Sequence, residues 1–336
     1  MSTPLVTVMM GSPRDFPIMK AGTELLERLG VPFEVFVSSA HKTPDRTHGY
    51  IVELANRGVE VVIGGAGAAA HLAGVVAASF PGPVIAVPIA ATELHGADAL
   101  LAMVQMPSGV PVATVAIDQP GAKNAAILAA QMLAKKHPAI ASALSELQAK
   151  EHRPVDSSGP ASSKGPKVAV VCASETDRPF MERTTAILEQ LDISFEFTIK
   201  SPVRDPEGTR NYARGLVERG VEVIIGGAGA SGYLCGALAA YVHLPVISVP
   251  LPTTQLAGLD SLLASVQMPS GTPVATVAIG PMGAKNSALL AAQVLAITDT
   301  DLGSRLAEHR RMIGQTLIKE ADALMETLPP EQRGKP

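Results

Sequence analysis

The chain alternates short, almost wholly apolar runs with longer segments in which apolar residues recur every three or four positions. The first run, residues 5–10, leads through Gly11-Ser12-Pro13-Arg14-Asp15 into a helical pattern carried by Met19, Leu25, Leu26 and Leu29. Strands are then expected at 31–37, 59–63, 83–87 and 111–117, with helices at 44–56, 69–79 and 121–134. Strands too apolar to own a solvated face, separated by helices, predict an α/β fold whose parallel sheet is covered on both sides.

The pattern then repeats. Residues 58–68 return at 220–230 with one change, Val62 to Ile224, and 104–117 return at 266–279, again with one change. A constant shift of 162 positions lets the halves be compared without gaps and identifies two tandem copies of one domain. The first is expected over 1–150 and the second over 167–336, joined by a Ser/Gly/Pro-rich flexible linker at 151–166. A helical tail over 299–328, with Leu302, Leu306, Met312 and Leu317 at helical spacing, should pack across a neighbour.

Composition narrows the function classes. With 47% apolar and 17% charged residues in 336, each copy can bury a full core, and the surplus apolar surface predicts a homo-oligomer. A net charge of −4 offers no bulk attraction for nucleic acid or an anionic membrane. Cys172 and Cys235 lack metal-ligand spacing, so no metal is expected, and so few cysteines fit a cytoplasmic protein. The first residues run straight into a strand pattern, from which no leader is expected; the apolar region 64–91 is interrupted by His71, Pro81, Pro83 and Pro88, which argues against a membrane span.

Three stretches carry candidate chemistry. Ser39-Ala40-His41-Lys42-Thr43-Pro44 follows the second strand, at the carboxyl edge where open α/β sheets hold ligands, and delivers a hydroxyl, an imidazole and an ammonium group. Thr43 as N-cap and Pro44 at the first helical position explain the end of this stretch structurally, but not His41 and Lys42. In the 11–15 turn, Arg14 is suited to a phosphate and Asp15 to sugar hydroxyls; equally, Ser12 or Asp15 caps the next helix. In the 64–71 loop, small residues let a ligand ring approach the backbone, and His71 is either a pocket residue or a core histidine. The 92–98 loop, with Glu93 and His95, and the 105–109 turn are further pocket-lining candidates, for which solvated loops are the plainer reading. The second copy has Val203 opposite His41 and Tyr233 opposite His71, so it has lost proton chemistry of that kind.

Taken in order, Met10-Gly11-Ser12-x-x-Asp15, Ser39-Ala40-His41-Lys42-Thr43-Pro44, Gly65-Ala66-Gly67-x-Ala69-Ala70-His71-Leu72-x-Gly74 and Val104-Gln105-Met106-Pro107 resemble the N5-carboxyaminoimidazole ribonucleotide mutase family of purine biosynthesis, which includes the catalytic subunit of phosphoribosylaminoimidazole carboxylase. The resemblance spans nearly all of 5–135, and 167–297 look like a diverged second copy. It implies two tandem flavodoxin-like three-layer αβα domains with parallel sheets, in an assembly where four chains supply eight domains. The implied reaction moves a carboxylate from an exocyclic nitrogen to C4 of an imidazole ribonucleotide, by decarboxylation and recarboxylation in a closed site, without metal or organic cofactor. His41 would be the general acid and base; Ser12, Asp15 and Lys42 would hold ribose and phosphate, with Arg14 beside them, and Ser39, Gly67, Ala68, His71 and Leu72 would wall the carboxylate. The family's mutase branch usually has serine at the position of Arg14 and arginine at that of Lys42; lysine there is closer to the branch that carboxylates aminoimidazole ribonucleotide directly with CO2. A nucleotide-binding pseudoenzyme is the alternative outside catalysis, favoured by the altered second copy and disfavoured by His41 in the first.

Overall fold

Among the described residues ten strands form one sheet; numbered along the chain, they lie side by side in the order 2-1-3-4-5-10-9-8-6-7. The computed structural model describes residues 3–150, 165–327 and 332, so the expected linker lies outside the described residues over 151–164. The first copy supplies β1 (Val6–Met10), β2 (Phe33–Val37), β3 (Val61–Gly67), β4 (Val84–Ile89) and β5 (Ala113–Thr114). Between and after them run α1 (Phe16–Arg28), α2 (Pro44–Leu54), α3 (Leu72–Ser79), α4 (Ala97–Val104), α5 (Asp118–Leu133) and α6 (Pro138–Lys150). The second copy repeats the plan with β6 (Val168–Cys172), α7 (Arg178–Gln190), β7 (Phe195–Ile199), α8 (Pro206–Arg214), β8 (Val223–Ala228) and α9 (Tyr233–Ala239). It continues with β9 (Val246–Pro250), α10 (Leu259–Val266), β10 (Ala275–Thr276), α11 (Pro281–Ala296) and α12 (Thr300–Thr327).

Within each copy every strand pairing is parallel, as the apolar runs require. The copies meet at a single antiparallel pairing, Thr114 against Thr276, which are equivalent positions of the repeat. Pairing of equivalent residues places a local twofold axis there, so the carboxyl ends of the two half-sheets point to opposite edges. The strand expected at 111–117 is only two residues long, because Pro111 has no N–H to give and β5 is wedged between β4 and its own counterpart.

Strand alternation sends Val6, Val8 and Met10 to one face and Met9 to the other. The face with Val8 packs on α1, α5 and α6 and runs unbroken into the second copy through α7, α11 and Leu302 of α12. On the opposite face α2, α3 and α4 close a core around Met9, Val62 and Phe80, while α8 and α9 close a separate one around Val171 and Ile224. The copies are therefore fused through one core and separate on the other face. Helix α12 crosses back to the first copy, where Arg310 donates to the carbonyl oxygens of Phe80 (3.1 Å) and Ala77 (2.6 Å). Among the described residues no helix is long and apolar enough to cross a membrane.

Candidate active site

Strands β1, β2, β3 and β4 end side by side, and the four loops that leave them enclose a cavity of about 610 Å³. Ser12, Arg14 and Asp15 reach it from the first loop, and Ser39, His41 and Lys42 from the second. Gly67, Ala68, His71 and Leu72 reach it from the third. Every residue that the family resemblance assigns to the site thus lines one space, though they are spread over sixty positions of sequence. Carboxyl ends converge because all four strands are parallel, which is the general reason open α/β sheets bind there.

Each loop is held by its own hydrogen bonds. Ser12 caps the short turn after β1: its Oγ accepts from the Arg14 N–H (3.2 Å) and its own N–H donates to Asp15 Oδ2 (3.0 Å). Capping and pocket lining are therefore both true of this turn. Burial pushes the Asp15 carboxyl above the ordinary carboxylate range, and the Ser12 N–H pulls it part of the way back. In the second loop Thr43 occupies the N-cap position of α2 but makes no cap bond. Its hydroxyl instead donates to the Ser39 carbonyl (3.1 Å) and accepts from the Ser39 N–H (3.1 Å), cinching the loop that carries His41. The Lys42 N–H donates to Ser39 Oγ (3.2 Å), so Ser39 and Thr43 together hold the turn.

The third loop is the most constrained. Helix α3 starts at Leu72, three residues later than its apolar pattern suggests, because Ala68 (φ 55°) and Ala70 (φ 46°) take the left-handed conformation. That conformation is unfavourable for L-residues by roughly 1–2 kcal/mol each. At Gly67 a Cβ would lie 2.4 Å from the Ala91 methyl, so only glycine lets β3 pass the loop after β4. The consequence is at the cavity mouth: His71 Nδ1 lies 2.9 Å from His41 Nε2, with the rings edge-on at 69°. One of the two nitrogens donates and the other accepts, so the tautomer of each ring depends on the other. Arg14 and Lys42, both exposed, add positive charge to the same wall.

Two further loops lie outside this cavity, in keeping with the plainer reading of them. The 92–98 loop does not line this cavity: Thr92 Oγ1 donates to Asp98 Oδ2 (2.8 Å) and orders the loop before α4, leaving Glu93 and His95 outside. The 105–109 turn serves the junction between copies, where Asn286 Nδ2 donates to the Pro107 carbonyl (2.9 Å) and Asn286 Oδ1 accepts from the Gly109 N–H (2.9 Å). Asn124 holds the equivalent turn of the second copy in the same way. Periodicity and composition carry no trace of such long-range bonds.

One positioning residue escapes sequence reasoning. Asp118 is left-handed (φ 61°), and its Oδ1 accepts from the N–H of Ala90 (2.9 Å), which lines the cavity. The equivalent position is Gly280 (φ 70°), and an aspartate standing where its repeat has glycine was the available sign of a side chain retained against backbone strain.

A family model described as AIR carboxylase matches residues 5–154 and again 167–316. The chain belongs to the AIR carboxylase family. It is a tandem duplication of the family's domain. A probable N5-carboxyaminoimidazole ribonucleotide mutase of Methanothermobacter thermautotrophicus is 36% identical over 330 residues, covering 90% of this chain and 96% of the relative. The N5-carboxyaminoimidazole ribonucleotide mutase of Pyrococcus horikoshii is 53% identical over 137 residues, 41% of this chain and 76% of its own. A phosphoribosylaminoimidazole carboxylase of Candida glabrata is 55% identical over 130 residues, 39% of this chain and 22% of its own.

Proposed function

We propose that the chain converts N5-carboxyaminoimidazole ribonucleotide to 4-carboxy-5-aminoimidazole ribonucleotide in the cavity of its first copy, residues 1–150. The observation that carries this reading is the His41–His71 pair at the mouth of a cavity whose inner wall is small and apolar. Breaking the N–CO2 bond returns an electron pair to the exocyclic nitrogen, which takes a proton from His41. The freed CO2 stays against Gly67, Ala68 and Leu72, where C4 of the ring attacks it; His41 then removes the C4 proton and the ring regains aromaticity. One proton leaves and one returns, so the imidazole ends as it began. His71 orients His41 through their shared hydrogen bond, while Ser12, Asp15, Arg14 and Lys42 hold ribose and phosphate and Ser39 closes the carboxylate wall. Small walls and excluded water do the rest, since a confined CO2 recombines faster than it escapes.

His41→Asn is the test: it keeps a hydrogen-bonding group near His71 but cannot shuttle protons at neutral pH. Turnover should fall by roughly 10²- to 10⁴-fold with KM little changed. Turnover surviving in this variant would place the chemistry elsewhere. A direct carboxylation of aminoimidazole ribonucleotide is the second reading, favoured by Lys42 and by the name of the Candida relative. A requirement for high bicarbonate, with no use of the N-carboxylated substrate, would establish it instead. The second copy, residues 167–336 beyond the 151–166 linker, has Val203 and Tyr233 in place of the two imidazoles and takes no part in turnover, serving as a scaffold or regulatory half; four chains would build an eight-domain homo-oligomer in the cytoplasm.

A further inference from the structure

The counterpart of the active-site cavity is still open in the second copy. Its volume is about 370 Å³, within the range of small-ligand pockets, and it lies at the carboxyl ends of β6, β7, β8 and β9, on the sheet edge opposite the first cavity. A pocket left over from lost catalysis would be expected to fill with apolar side chains. This one has gained hydroxyls: Thr176 stands at the position of Arg14, Ser231 at that of Ala69 and Thr253 at that of Ala91. Thr253 Oγ1 sits so close to Gly229 that a Cβ there would lie 1.7 Å from it, so the glycine is what admits the hydroxyl to the floor. Helix capping accounts for Ser174 and Asp177, which repeat the Ser12–Asp15 bond at 2.9 Å, and takes up Thr176, whose Oγ1 lies 2.7 Å from Ser174 Oγ, but it does not account for Ser231 and Thr253.

The imidazole pair has been exchanged for Val203 and Tyr233, which are 70% and 55% exposed on the same cavity. An open aliphatic and an open aromatic side chain beside a hydroxyl-lined floor form a surface for a flat ring. Arg204 replaces Lys42 and makes no ion pair among the described residues, which leaves its forked guanidinium for a phosphate. Asp177, only 2% exposed, borders the same cavity and has its Oδ2 held by the Ser174 N–H and hydroxyl, the position that Asp15 takes in the first copy.

We infer that the second copy is a separate, non-catalytic binding site for a nucleoside 5′-monophosphate, its base on Tyr233 and Val203, its ribose on Asp177 and Ser174 and its phosphate on Arg204. The inference rests on the reading that the first cavity holds a ribonucleotide the same way round. Calorimetric titration of the full chain with adenosine 5′-monophosphate tests it, alongside Tyr233→Ala, Tyr233→Phe, Arg204→Gln and the first-copy control Lys42→Gln. One site per chain is expected, weakened at least about tenfold by Tyr233→Ala and by Arg204→Gln, retained in Tyr233→Phe and unchanged in Lys42→Gln. Absence of saturable binding at millimolar nucleotide, or a loss confined to Lys42→Gln, overturns it, as does equal loss in Tyr233→Phe and Tyr233→Ala. Turnover of the imidazole ribonucleotide by the same wild-type sample separates the two readings. Turnover without nucleotide binding sinks only the second site, and Tyr233-dependent binding without turnover sinks only the proposed reaction.

Discussion

Asp118 shows how one side chain can outweigh its backbone. Its left-handed φ is unfavourable, yet it holds the Ala90 N–H at the cavity wall, a task the second copy drops by using Gly280. Asp118→Gly should leave thermal stability within about 1 kcal/mol of wild type, relief of strain offsetting the lost bond. Steady-state kinetics should nonetheless show a roughly tenfold loss in kcat/KM, because the wall it anchors shifts. His309 poses a different question. It is 8% exposed on α12, its Nδ1 has no hydrogen-bond partner among the described residues, and burial holds its imidazole below the ordinary histidine range. Below about pH 6.5 the unfolded chain takes up a proton at this position that the folded chain resists, so stability falls with pH until the depressed folded pKa is reached. Thermal melts between pH 7.5 and 5 should therefore show a steeper loss in wild type than in His309→Gln; parallel curves would contradict this.

At the scale of elements, α5 and α11 do more than cover the sheet. Asn124 and Asn286, each 1% exposed, reach across the junction and satisfy the Met-Pro-Ser-Gly turn of the other copy, donating to carbonyls and accepting from the Gly271 and Gly109 N–H groups. Asn124→Ala removes the bonds to the Met268 and Pro269 carbonyls and to the Gly271 N–H at once and should cost about 2–3 kcal/mol in urea denaturation. Asn286→Ala should match it, since the contacts are reciprocal. The duplicated turn was legible as a repeat, but its purpose was not, because its partner lies 147 positions away for Gly271 and 177 for Gly109.

At the scale of the whole molecule, one core joins both copies on one face of the sheet and α12 straps the second copy to the first. Two domains connected only by a linker would melt independently. A shared core forbids that, so calorimetry should record one transition whose calorimetric and van't Hoff enthalpies agree. Two resolved transitions would show that the copies unfold apart.

The succession of strands and helices within a copy, parallel pairing, the duplication and the loops bearing His41 and His71 were all determined by sequence alone. Apolar runs without a solvated face must be buried between helices, and parallel strands must deliver their following loops to one edge. The tertiary structure alone decided that His41 Nε2 meets His71 Nδ1, that Asp118 holds Ala90, and that equivalent threonines pair to fuse two half-sheets into one. Each of these depends on where separate elements come to rest in space, a quantity set by packing of the whole core and by left-handed backbone at a few residues, and local hydrophobic periodicity contains neither.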